Sequence, residues 1–222
     1  MKRTLCLIFL FLFLGGCTSK PAPEWLASGS EQLESYKQDF LTGGQSAITE
    51  RHFQKAVEEI KKSGDLDLLG RAWLTRMALQ VAILGEIEEG EYGKIAAAQA
   101  VPANSNFYLF LKGDPAAVDG ALLPVQYRSF LKALRDGDVI KTGKEIAAME
   151  EDPLSQLIAA GLSVRRHLES EAILQAAVGV ASRNGWKRAL LAWLERLRTF
   201  YEASGDAAKA AAVRQRIDLI GK

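Results

Sequence analysis

Cysteine is almost absent from this sequence: there are two in 222 residues, Cys6 and Cys17, both near the start. From residue 18 onward the chain therefore has no disulfide and no thiolate chemistry. A chain of this length can be held by an apolar core alone, so an oxidising compartment would not demand bridges. Histidine is nearly as scarce. Only His52 and His167 offer imidazoles, without His-Glu-x-x-His spacing and without cysteine companions, so no metal site is expected. Both are read as ordinary helix-surface or helix-end residues. One-sided charge is missing too: 28 basic residues face 27 acidic ones, a net of +1. Such a chain has no global field to concentrate nucleic acid. Strand signatures are nearly absent, with no sustained alternation of polar and apolar residues. No Gly-x-Ser-x-Gly elbow occurs, and no cofactor is expected.

Two segments come close to known ligand loops and miss. Gly137 to Lys144 has five residues between its glycines, followed by Glu145, where a phosphate loop has four and then Lys-Ser/Thr. Asp65-Leu66-Asp67 with Gly70 has the outline of a calcium loop, but Leu69 and Arg76 stand where acidic ligands are needed. A cation at the closing position would repel calcium.

The patterning is helical instead. Gly-Asp recurs at Gly64-Asp65, Gly113-Asp114, Gly137-Asp138 and Gly205-Asp206. Glycine takes the left-handed turn that ends one helix, and aspartate accepts the free N–H groups that open the next. Helices are expected at 30–42, 46–63, 66–84, 89–100, 105–112, 123–135, 138–150, 153–167, 170–183, 186–203 and 206–220. The segment 66–84 is apolar over most of its circumference, which marks a central helix. Arg71 and Arg76 make it a costly membrane span, at about 2.5–3.5 kcal/mol each. Trp186, Leu190, Trp193, Leu194, Leu197 and Tyr201 line one face at helical spacing, and Ala210, Val213, Ile217 and Ile220 line one face of the next helix. The expected organisation is an N-terminal helical half at 30–112 and C-terminal helical hairpins at 113–222.

The first residues carry an address. Lys2 and Arg3 precede an apolar run of ten residues, Leu5 to Leu14, then Gly15, Gly16 and Cys17. A basic start, a short apolar core and small residues at the cut have the layout of a secretory signal, and the run is half the ~20 residues needed to span a membrane. Leu14-Gly15-Gly16-Cys17 resembles the lipobox of bacterial lipoproteins, with Gly15 where Ala or Ser is commoner. The resemblance implies a signal peptide at 1–16, acylation of Cys17 by diacylglycerol and palmitate-type chains, and anchoring to a membrane. Two or more acyl chains give stable anchoring, whereas one is marginal. Thr18 stands where the family's inner-membrane retention signal is usually Asp, which favours the outer membrane, with the domain facing the periplasm. Residues 17–29 are expected to be the lipidated cysteine and a linker, stiffened by Pro21 and Pro23.

Hairpins of the second half begin near 119–123, 153 and 186, a spacing of about 33 that belongs to tetratricopeptide arrays. The last pair resembles that family. Leu194, Leu197 and Tyr201 fall on its large apolar positions, Gly205-Asp206 on its turn and Ala210 on its small position. Arg198 departs from the usual small residue, and Ser129 and Ala133 fall where large apolar residues are expected. The expected fold is all-α, with stacked antiparallel helical hairpins in a tetratricopeptide-like α-solenoid or an irregular helical bundle. Glu169-Ser170 is similar to the Glu-Ser pair of lytic transglycosylases, but the Gly-Leu-Met-Gln-type segment of that family is missing. Arg165, Arg166, Lys187, Arg188, Arg196, Arg198, Arg214 and Arg216 make the last third locally basic. The expected function is a non-enzymatic, membrane-anchored adaptor that holds an unknown envelope protein or peptide. The alternatives are a peptidoglycan-active enzyme or its regulator centred on Glu169, and a carrier of an apolar ligand.

Overall fold

The computed structural model describes residues 23–221, so the expected signal peptide at 1–16 and the expected lipid attachment at Cys17 lie outside the described residues. Among the described residues there are eleven α-helices and no strand, and the fold is all-α. In chain order they are α1 (Glu24–Thr42), α2 (Ser46–Lys61), α3 (Leu66–Ala82), α4 (Gly90–Ala98), α5 (Pro102–Lys112) and α6 (Val125–Asp136). Then follow α7 (Val139–Ala147), α8 (Pro153–Arg165), α9 (Glu171–Arg183), α10 (Lys187–Ala203) and α11 (Ala207–Ile220). No described helix is long and apolar enough to cross a membrane.

Local chemistry places most boundaries. Gly64, Gly137 and Gly205 have φ of 69°, 67° and 77°, the left-handed turn that side chains resist. Asp65 accepts from the amides of Asp67 and Leu68, Asp138 from Lys141 and Asp206 from Lys209. The fourth pair behaves differently. Gly113 ends α5 in the left-handed conformation, but Asp114 opens no helix. The following segment is held by tertiary bonds: Arg135 donates to the carbonyls of Pro115 and Val118, and Asn106 bonds the backbone of Asp119 in both directions. A single 3-10 turn, Gly120–Leu122, then leads to α6. A second difference lies at the start. α1 begins at Glu24, inside the expected linker, because Gly29 and the half-buried Trp25 and Leu26 give this turn a packed face. A Cβ on Gly29 would already touch Glu59 and Ile60 at 3.4 Å.

The packing has two central helices. α3 is buried on most sides, as its apolar circumference predicts. α8 is the other, with every residue from Ser155 to Ser163 buried. They meet at Gly161, where an added Cβ would lie 2.3 Å from the Val81 carbonyl oxygen. That approach is open only to glycine.

The second half forms three hairpins, α6/α7, α8/α9 and α10/α11; α6 and α7 also contact α8, α7 contacts α9, and α9 contacts α10. Trp186, Leu190, Trp193, Leu194, Leu197 and Tyr201 are all buried, as is Ala210. The halves expected at 30–112 and 113–222 share one continuous apolar core. The N-terminal helices cover the first helix of each hairpin. Phe110 of α5 packs on Tyr127 and Phe130 of α6, α3 packs on α8, and α1 packs on α10. Trp186 donates its indole N–H to Gln38 at 3.3 Å, and Arg188 lies 4.2 Å from the Phe40 ring centroid. The chain therefore fills one face of its own stack and leaves the other, formed by α7, α9 and α11, exposed.

Candidate functional site

The exposed face carries two grooves that flank α9. One, of about 370 Å³, runs between α7 and α9. Its walls are apolar, with Val139, Ile146 and Ile173, and Ile140 at its edge is 87% exposed. The other, of about 610 Å³, runs between α9 and α11 over the C-terminal half of α10. Val178, Leu197, Ala212 and Val213 supply its apolar surface. Small residues make both grooves: Gly143 and Gly179 replace side chains that would fill them.

The α9/α11 groove is polarised along its length. At one end sits a closed network. The Tyr201 hydroxyl donates to Glu171 at 2.8 Å and accepts from Gln175 at 3.0 Å. Lys209 donates to both Glu171 oxygens, at 3.1 and 3.3 Å, and rests 5.0 Å from the Tyr201 ring centroid. Burial pushes the Tyr201 hydroxyl pKa up. The bond from Tyr201, then that from Lys209, holds the Glu171 carboxyl below its usual range, and Glu171 in turn raises Lys209. At the other end stand Arg183 on α9 and Arg216 on α11. Neither forms an ion pair among the described residues. An apolar floor with two guanidiniums free of ion pairs on facing walls can accept carboxylates beside apolar groups.

Several of the other basic residues noted in the sequence are committed elsewhere. Arg165 donates to the Gly85 carbonyl at 2.7 Å. Arg198 pairs with Glu195 and Glu202, which raise its pKa. Arg214 lies 3.6 Å from Glu202. Of the basic group, Arg196, Arg198 and Arg214 are ion-paired, and Arg216 alone lines this groove. Arg183 went unnoticed in the sequence because it stands singly; its signal was the Gly179 one turn before it.

Glu169 lies at the α8–α9 junction with its side chain only 12% exposed. One oxygen binds the Arg196 guanidinium, and the other is buried without a partner among the described residues. It lines neither groove. Ser170 beside it caps α9, accepting from the Ile173 amide at 3.3 Å. His52 bonds Gln32 at 2.8 Å and ties α2 to α1. His167 ends α8 with φ of 56°. Asp65 and Asp67 are used in capping α3 and in a two-pronged pair with Arg71. Among the described residues no group of three or more His, Cys, Asp or Glu could hold a metal ion.

No family model, no curated protein and no solved structure matches this chain.

Proposed function

We propose that this chain is a membrane-anchored lipoprotein that acts as a helical adaptor, holding a protein partner on the α7/α9/α11 face. Cys17 would carry the lipid, and the near-neutral helical domain would sit in the periplasm on a short tether, on the outer membrane in a cell that has one. The observation that carries the adaptor reading is the α9/α11 groove, with its apolar floor and the unpaired Arg183 and Arg216. The other face of the stack is taken up by the chain's own α1, α3 and α5, so this is the face that remains for a partner. The partner chemistry it favours is a segment with apolar side chains and carboxylates. Aromatic and arginine anchors are the usual centre of such interfaces.

The test uses the lipidated protein in intact cells, with a photo-crosslinking residue at Ser182 or Ala212. A defined envelope protein should be captured there and lost in the double variant Arg183→Glu, Arg216→Glu. A clean monomer with no crosslinked partner, or a partner indifferent to the double variant, would remove the adaptor reading.

A further inference from the structure

A separate cleft of about 530 Å³ lies in the N-terminal half, between α3, α5 and the turn at Gly120–Leu122. That volume falls within the range of small-molecule sites, about 300–1,000 Å³. Leu74, Phe107, Leu122, Leu123 and Pro124 make its apolar walls. Leu122 is 42% exposed, an apolar side chain presented at the opening.

Two guanidiniums stand at this cleft, and they differ. Arg71 gives Nε and Nη2 to the two oxygens of Asp67, at 2.9 and 2.8 Å, so its charge is matched. Asp67 also accepts from Asn104 at 2.9 Å, which keeps that carboxylate occupied. Arg128 has no carboxylate partner among the described residues. Its Nε donates to the Leu123 carbonyl at 3.1 Å and its Nη2 to the Ala121 carbonyl at 3.1 Å. Carbonyl acceptors orient a guanidinium without neutralising it. The turn that supplies the apolar wall thus also fixes a cation with its charge unspent.

We infer that this cleft binds a single-chain amphiphile, its apolar body against Phe107 and Leu122 and its oxyanion head, a carboxylate or phosphate, on Arg128. Preorganisation supports the assignment, because a guanidinium already held in place loses little freedom when an oxyanion arrives. Charge-assisted bonds of this kind are about twice as strong as neutral ones. The site is distinct from the α9/α11 groove and does not depend on the adaptor reading.

Titration calorimetry on the full chain carrying Cys17→Ser tests it, with dodecanoate and dodecyl phosphate as probes below their micelle concentrations. Saturable one-to-one binding of either is expected, weakened about tenfold or more by Arg128→Gln. Dodecanol should bind with the same weak affinity to both forms, and acetate should not bind. Leu122→Glu should abolish dodecanoate binding. Both side chains are exposed, so circular dichroism of the variants should match the parent. Absence of saturable binding, or equal binding by Arg128→Gln and Leu122→Glu, would overturn the site. Capture of phosphatidylglycerol vesicles without binding of the free amphiphiles would overturn it in favour of a membrane contact.

Discussion

The indole of Trp193 donates a hydrogen bond to the carbonyl of Ala82 across 2.8 Å, joining α10 to the C-terminal end of α3. Trp193 is fully buried, and Ala82 is the last residue of α3. One side chain therefore closes a loop of more than a hundred residues and satisfies a helix-end carbonyl that has no partner within its own helix.

Trp193→Ala should cost about 3–5 kcal/mol, since it removes a buried ring and leaves a cavity. Trp193→Phe keeps most of the packing but orphans the Ala82 carbonyl, at about 1–3 kcal/mol. Urea denaturation of the two variants measures both. Losses under about 1 kcal/mol, as for surface changes, would place Trp193 outside the core.

Gly161→Ala is expected to be as severe, although it adds a single methyl. The new Cβ would meet the Val81 carbonyl oxygen at 2.3 Å, and both partners are backbone on central helices. Overpacking costs about 1–3 kcal/mol or more, and this position belongs at the upper end. Gly143→Ala, which would meet only the Ile173 side chain at 3.3 Å, serves as the mild control in thermal melts.

Alkaline pH should destabilise the fold in a defined window. Burial raises the Tyr36 hydroxyl from 10.0 to about 12. A raised folded-state pKa means the stabilisation is complete below the unfolded value and is lost as pH rises through the folded one. Stability should therefore be flat below pH 9 and fall by roughly 2–3 kcal/mol between about pH 10 and 12 from this group alone. Tyr127 is raised as well by burial and steepens the fall. Tyr36→Phe should flatten part of it in denaturation curves, with little loss at neutral pH, because the Tyr36 hydroxyl has no hydrogen bond among the described residues.

Glu169→Gln separates a structural carboxylate from a chemical one. It leaves Arg196 without its counter-ion, which should cost about 1.5–3 kcal/mol, the range for bonds to charged groups. Peptidoglycan turnover in cells carrying this variant should be unchanged. Turnover that disappears while the folded protein is still present would revive the enzymatic alternative.

Cys17→Ser should leave the circular dichroism spectrum helical while the chain loses processing and membrane retention. Fractionation of cells reads this directly. A variant that stays membrane-bound and is still cut would refute the lipoprotein assignment.

Much of the helical plan was legible because its signals are local. Asp65, Asp138 and Asp206 cap the helices expected of them, and the preceding glycines take the left-handed turn. Gly113-Asp114 carries the same letters and does otherwise. There the deciding partners, Arg135 and Asn106, belong to other helices, and no dipeptide pattern can register them. Of the candidate groove, Arg216 stood in a visibly basic stretch, but its isolation from any carboxylate depends on which helix faces it. Arg198 and Arg214 looked alike in sequence and are paired.

The order of the helices, the ends capped by Asp65, Asp138 and Asp206, and the buried face of α10 follow from the chain alone, since capping and helical periodicity act over about four residues; the start of α1 and the face of α11, where only Ala210 is buried, do not. Which face of the stack stays open does not. It was decided by α3 lying on α8 and α1 on α10, contacts between residues far apart in sequence. Such contacts are selected by shape, as at Gly161 and Val81, and shape exists only once the helices have packed.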